Sequence, residues 1–65
     1  MGYVVGQKVY TVNNKTNQVD TWTYNLWIPG KDEPLIYLTR GKQYCFLPAR
    51  CVFSSYYEAS KLINK

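Results

Sequence analysis

Residues 19–28 read VDTWTYNLWI, and the way this stretch alternates decides the fold. Trp22, Tyr24, Leu26 and Ile28 fall on one side of an extended chain; Thr21, Thr23, Asn25 and Trp27 fall on the other. Period two with β-branched and aromatic residues marks a strand that buries one face. The first set is the expected buried face. Trp27 breaks the pattern: either the strand bends there and exchanges its faces, or the indole is exposed.

Further strand signals flank this one, each bounded by turn chemistry. Upstream, YVVGQKVYTV (3–12) reads as a strand with a bend or bulge at Gly6, and NNKTNQ (13–18) as an Asn-rich turn. Downstream, PGKDEP (29–34) breaks the chain, because its two prolines lack N–H groups. LIYLTR (35–40) and QYCFL (43–47) then read as a hairpin joined around Arg40, Gly41 and Lys42. A two-residue loop at Arg40 and Gly41 sets Tyr37 opposite Tyr44 and Leu35 opposite Phe46. A three-residue loop sets Leu38 opposite Tyr44 and Ile36 opposite Phe46. The second is preferred, because it gathers four large residues on one buried face and leaves Tyr37 and Cys45 on the other. PARCVF (48–53) reads as a 3₁₀-like connector, with Val52 and Phe53 a brief fifth strand or a step into a helix.

The chain ends in CVFSSYYEASKLINK (51–65). Ser55 and Glu58 have the spacing of a capping box, which predicts a helix from about Tyr56 to Asn64. Ala59, Leu62 and Ile63 form its apolar stripe, with Tyr56 at its start. A helix this short is marginal alone in water, so it is expected to dock as a lid over the open end of a small sheet. Lys61 and Lys65 suit the negative end of its dipole.

Sixty-five residues make one domain, 1–65, with strands about 3–53 and the helix about 55–64. A core this small needs large side chains; seven Tyr, two Trp and two Phe supply them. The formal charge of +4 favours an anionic partner without requiring one. Cys45 and Cys51, with no His in the chain, do not complete a zinc site; they read as small buried hydrophobes, with a disulfide the alternative. No secretory leader or apolar span is legible, so no membrane partner is expected and the localisation expected is cytoplasmic. Asp20, Asp32, Glu33 and Glu58 show no facing acid–base pair, and no glycine-rich phosphate loop is present. No catalytic residue, metal or cofactor is expected.

VGQKVYTV, the long aromatic second strand, LIYL, YCFLP and VFSSYYEA together resemble small SH3-like barrels over nearly the whole chain. Among these they are most similar to short proteins of Gram-positive phages and mobile elements. The resemblance implies a mainly β, SH3-like small barrel of about five antiparallel strands capped by a short C-terminal α-helix. Barrels of this kind bind proline-rich peptides, other proteins, DNA or RNA; the missing catalytic groups make a non-enzymatic role the expectation, in the host cytoplasm if the chain is phage-encoded. The acidic loop used by binders of proline-rich peptides is missing.

Two binding readings follow. In the first, exposed aromatics anchor a host protein or protein complex and could inhibit it; the candidates are Tyr10, Trp27 and Tyr37, with Arg50 as a polar contact. The alternative reading of Tyr10 and Trp27 is that they fill the second side of a thin core. In the second, Tyr37, Arg40, Lys42 and Arg50 form a basic, aromatic hairpin that meets DNA or RNA. Either a monomer or a homodimer paired through an edge strand fits the chain.

Overall fold

The structure is a computed structural model that describes residues 2–63. Four antiparallel strands form one open sheet in the order β1-β2-β3-β4, and a short helix follows. The strands are β1 (Lys8–Asn13), β2 (Gln18–Ile28), β3 (Leu35–Arg40) and β4 (Gln43–Pro48). A single 3₁₀ turn, Ala49–Cys51, leads to α1 (Tyr56–Ser60). Neighbours in sequence are neighbours in the sheet, so turn chemistry sets every pairing.

The β1–β2 turn is held by Asn13, whose Oδ1 accepts from the N–H groups of Lys15 and Thr16 at 3.0 and 3.3 Å. Asn17 completes the turn in the left-handed region at φ 58°, which asparagine tolerates. Before β1, Gly6 turns at φ +94° and its N–H donates to the Tyr24 carbonyl. That is the bend expected at Gly6, and it shortens the first strand to start at Lys8.

Two local features fix which side chains go inside. The first is a bulge in β2. Tyr24 pairs with Leu38, but Leu26 pairs with Tyr37, so Asn25 is an extra residue. The Asn25 amide secures it by donating to Thr39 Oγ1 at 2.6 Å. One extra residue reverses the faces of the strand beyond it. Trp27 therefore turns inward opposite Ile36 and packs against the core. Leu26, expected inside, turns out and is 54% exposed. The second feature is the β3–β4 turn. Arg40 pairs with Gln43, so the loop is Gly41–Lys42 and neither expected register forms. Gly41 takes φ +63° at the first loop position, as a type II′ hairpin turn requires. Leu38 faces Cys45 and Tyr37 faces Phe46. Cys45 and Leu47 thus join the inner face, while Tyr44 and Phe46 join the outer one.

The core is Val9, Tyr24, Ile36, Leu38 and Val52, with Tyr3, Trp22, Trp27, Cys45, Leu47 and Ala49 packed around it. At one end of the same face Trp22 donates from Nε1 to Thr11 Oγ1, and the Arg40 guanidinium lies 4.3 Å from the Trp22 ring centroid. Arg40 also reaches Asp20 at 3.6 Å. A cation over an indole covers apolar surface while keeping its charge compensated.

The expected fifth strand is reduced to one isolated bridge. Tyr10 and Phe53 exchange two backbone hydrogen bonds of 2.9 and 2.8 Å on the free edge of β1. This bridge positions Val52 in the core, where Tyr3 Oη donates to its carbonyl at 3.2 Å. The helix is capped as expected, with Ser55 Oγ accepting from the Glu58 N–H at 3.2 Å. It is shorter than expected, because the N–H groups of Leu62 and Ile63 bond three residues back and tighten the chain into a turn. Its expected reach to Asn64 lies outside the described residues, as does Lys65. Ala59 is fully buried but outside the core cluster, and the Tyr56 ring meets Tyr10 edge-on at 6.1 Å. Tyr10 faces away from Val9, so α1 docks on the outer side of the β1–β2 hairpin rather than over the core. Leu62 is 54% exposed and does not act as the docking contact.

Leu38→Ala is expected to cost about 2–5 kcal/mol, since the side chain has no solvent exposure. Leu62→Asp is expected to cost less than about 1 kcal/mol. Urea melts of the two variants check the contrast. Burial, with help from Glu58, pushes the Tyr3 phenol above its ordinary 10.0. Burial also pushes the Cys45 thiol above 9.0, with Arg40 opposing and Asp20 assisting. The folded chain holds both protons more tightly than the unfolded chain. Their contribution is therefore complete below those ordinary values and is lost as pH rises through the higher folded ones. Urea midpoints measured from about pH 8 to pH 11 should fall, and Tyr3→Phe should flatten part of that fall.

Candidate functional site: an exposed aromatic face

The outer face of β2, β3 and β4 carries apolar side chains in cross-strand rows. Leu26, Tyr37 and Phe46 form one row; Thr39 and Tyr44 form the next. Tyr37 stacks on Phe46 with ring centroids 4.9 Å apart and planes 19° from parallel. Tyr44 meets both edge-on, at 6.1 Å from Tyr37 and 6.2 Å from Phe46. Each ring thus holds its neighbours in place, and the cluster needs no covering element to be ordered.

Yet the cluster is wet. Tyr44 is 65% exposed and Phe46 50%. Three mutually packed rings and an exposed leucine form a contiguous apolar patch, which on a small protein marks a contact surface. The patch is not covered by the helix, which docks on β1 and β2. Elsewhere among the described residues the rings meet in pairs, Tyr3 with Tyr24 and Tyr10 with Tyr56.

Of the residues expected to bind protein, Tyr37 alone belongs to this cluster. Tyr10 is half-buried against Tyr56 near the β1 edge, and Trp27 packs on the core. Arg50 lies in the 3₁₀ turn and donates from Nη1 to Glu33, which anchors the 29–34 loop. Of the residues expected to meet nucleic acid, Lys42 is exposed in the β3–β4 turn beside the rings. Arg40 points to the opposite sheet face, where Trp22, Asp20 and Gln43 hold it. The structure therefore splits both expected sets. Leu26, Tyr44 and Phe46 take their place, and a glycine at the first position of a two-residue loop was the signal that sends the two rings outward.

The remaining chemistry is sparse. Both cysteines are free thiols. Among the described residues no three His, Cys, Asp or Glu side chains come together as a metal-ligand group, and no helix is long and apolar enough to cross a membrane. An open cleft of about 380 Å³ lies between α1 and the β1–β2 turn, lined by Asn17, Gln18, Val19, Tyr56, Ser60 and Ile63. Among the described residues that line it, Tyr56 alone carries an ionisable side chain.

No family model, curated protein or solved structure matches the chain.

Tyr44→Ser and Phe46→Ser, made together, are expected to cost no more than about 1–2 kcal/mol, the value of exposed cross-strand ring pairs. The same double variant should lose most of its binding of an apolar fluorescent dye. A thermal melt and a dye titration check the two halves of this expectation.

Proposed function

We infer that this chain is a non-enzymatic binding module whose docking surface is the outer face of β2–β4. The observation that carries the reading is the ring cluster of Tyr37, Tyr44 and Phe46, ordered by its own packing and open to solvent. Rigid aromatics lose little conformational entropy on binding and bury large areas, which is what anchors of protein interfaces do. Leu26 extends the apolar centre, and Lys42 together with the Thr39 hydroxyl supplies a polar rim. The Tyr10–Phe53 bridge supports reading the sheet as an SH3-like barrel with a one-pair seam. The resemblance to short phage and mobile-element proteins supports a host protein or complex as the partner.

A second reading rests on the stacked Tyr37–Phe46 pair beside Lys42. Exposed rings on a sheet also accept unstacked bases of single-stranded nucleic acid. Arg40 and Arg50 are each held by a carboxylate, so the cationic footprint beside the rings is small. A log–log salt slope near −0.7 per phosphate met is then expected for an oligonucleotide.

Capture from bacterial lysate with and without nuclease separates the two. Protein docking predicts a captured protein that survives nuclease treatment and is lost at least about ten-fold in Tyr37→Ala and Phe46→Ala variants that still fold. Unchanged capture by both variants would remove the aromatic face from the reading.

A further inference from the structure

We propose that β4 is a self-association edge: two copies of this chain pair their β4 strands antiparallel, with Tyr44 opposite the partner's Phe46 and Cys45 opposite the partner's Cys45. The proposal does not rest on the docking reading above; the edge would pair even if the aromatic face bound nothing else.

The two edges of the sheet are treated differently. The free edge of β1 meets Phe53, but β4 has only one neighbour, β3, and the described chain supplies nothing to its other side. In a two-residue hairpin the residues flanking the loop form a hydrogen-bonded pair, and such pairs recur at every second residue. Arg40↔Gln43, Leu38↔Cys45 and Ile36↔Leu47 are those pairs. Gln43, Cys45 and Leu47 therefore direct their backbone groups to β3. Tyr44 and Phe46 direct their N–H and C=O groups to the open side.

Natural edge strands are usually blunted by charges, bulges or proline. Residues 43–48, QYCFLP, contain no charged side chain and no bulge against β3, and Pro48 stands only at the end. A second copy is the occupant that matches this edge. Two outward donors and two outward acceptors on each copy pair completely in one antiparallel register, Tyr44 with the partner's Phe46 and the reverse. The net charge of each copy is +4, yet no like charges face each other along the seam; Lys42 falls beside the partner's Pro48. On the outer face that register joins the two ring clusters into one. Tyr44 and Phe46 leave on the order of 200–300 Å² of ring surface in water per copy. Even with the flanking backbone this stays below the area of a standard specific interface, so the dimer is expected to be weak and to dissociate on dilution.

The register brings the two Cys45 residues together in a non-hydrogen-bonded pair. Cα atoms in such pairs lie about 4.5 Å apart, within the range a disulfide spans. Native Cys45 is thus a reporter. The full chain carrying Cys51→Ser is treated with diamide at mildly alkaline pH. Two Cys45 thiols lose two protons and two electrons, one S–S bond forms, and diamide is reduced to its hydrazine. Sedimentation of the reduced chain is measured alongside.

The expected result is a monomer–dimer equilibrium with a dissociation constant of roughly 10–500 μM, and a Cys45-linked dimer whose yield rises with chain concentration. Tyr44→Lys, which sets a charge in the seam but leaves the β3 pairing intact, should shift the equilibrium at least ten-fold toward monomer with an unchanged circular dichroism spectrum. A chain that stays monomeric to about 1 mM overturns the proposal and leaves the edge to a strand of another protein. A dimer that ignores Tyr44→Lys and forms no Cys45 link also overturns it, by placing the contact elsewhere.

Discussion

The pairing of Arg40 with Gln43 is the constraint on which the arrangement depends. Side chains along a strand alternate, so a shift of one residue here exchanges the inner and outer sets of β4. With the loop at Gly41–Lys42, Cys45 and Leu47 pack beside the core and the two rings of β4 stand in solvent. With the loop one residue longer, Tyr44 and Phe46 would crowd a core that Ile36 and Leu38 already fill. Trp27, delivered by the Asn25 bulge, packs against the same core in the cross-strand row of Ile36 and Leu47. Two local irregularities, one glycine turn and one extra residue, thus decide which side chains of β4 and of the end of β2 meet the core.

The strand positions, the turn chemistry at Asn13–Asn17, the bend at Gly6 and the Ser55 cap were legible in the sequence, because each depends on residues close together in the chain. The faces were not. In β2 the apolar pattern continues through Trp22, Tyr24 and Leu26, and nothing in Asn25 itself announces a bulge; its partner is Thr39, fourteen residues away. In β4 every residue from Tyr44 to Leu47 is apolar, so either face can be buried and the hydrophobic pattern decides nothing. Gly41 carried the deciding information, since φ +63° at the first loop position selects a two-residue turn. The same gap explains the site. The sequence places Tyr37 on the outer face, but its apolar pattern draws the companions Tyr44 and Phe46 to the interior. Arg40 and Arg50 looked like available cations, whereas Asp20 and Glu33, distant in sequence, engage them.

The helix shows how little of an apparent amphipathic stripe a short segment uses. Ala59 alone is buried, and its small side chain lets the helix axis lie close to the outer side of β1 and β2. Sealing the interior falls to Val52 and Tyr3, one from each end of the chain, joined by the phenol hydrogen bond. Docking and sealing, expected of one element, are divided between two.

That division has a kinetic consequence. Among the described residues the C-terminal segment shares backbone hydrogen bonds with β1 at one pair only, Tyr10 and Phe53, whereas the four strands hold one another through longer ladders. The join at Phe53 is therefore where the molecule breathes first, and amide protons of Tyr10 and Phe53 exchange with solvent ahead of those in β2 and β3.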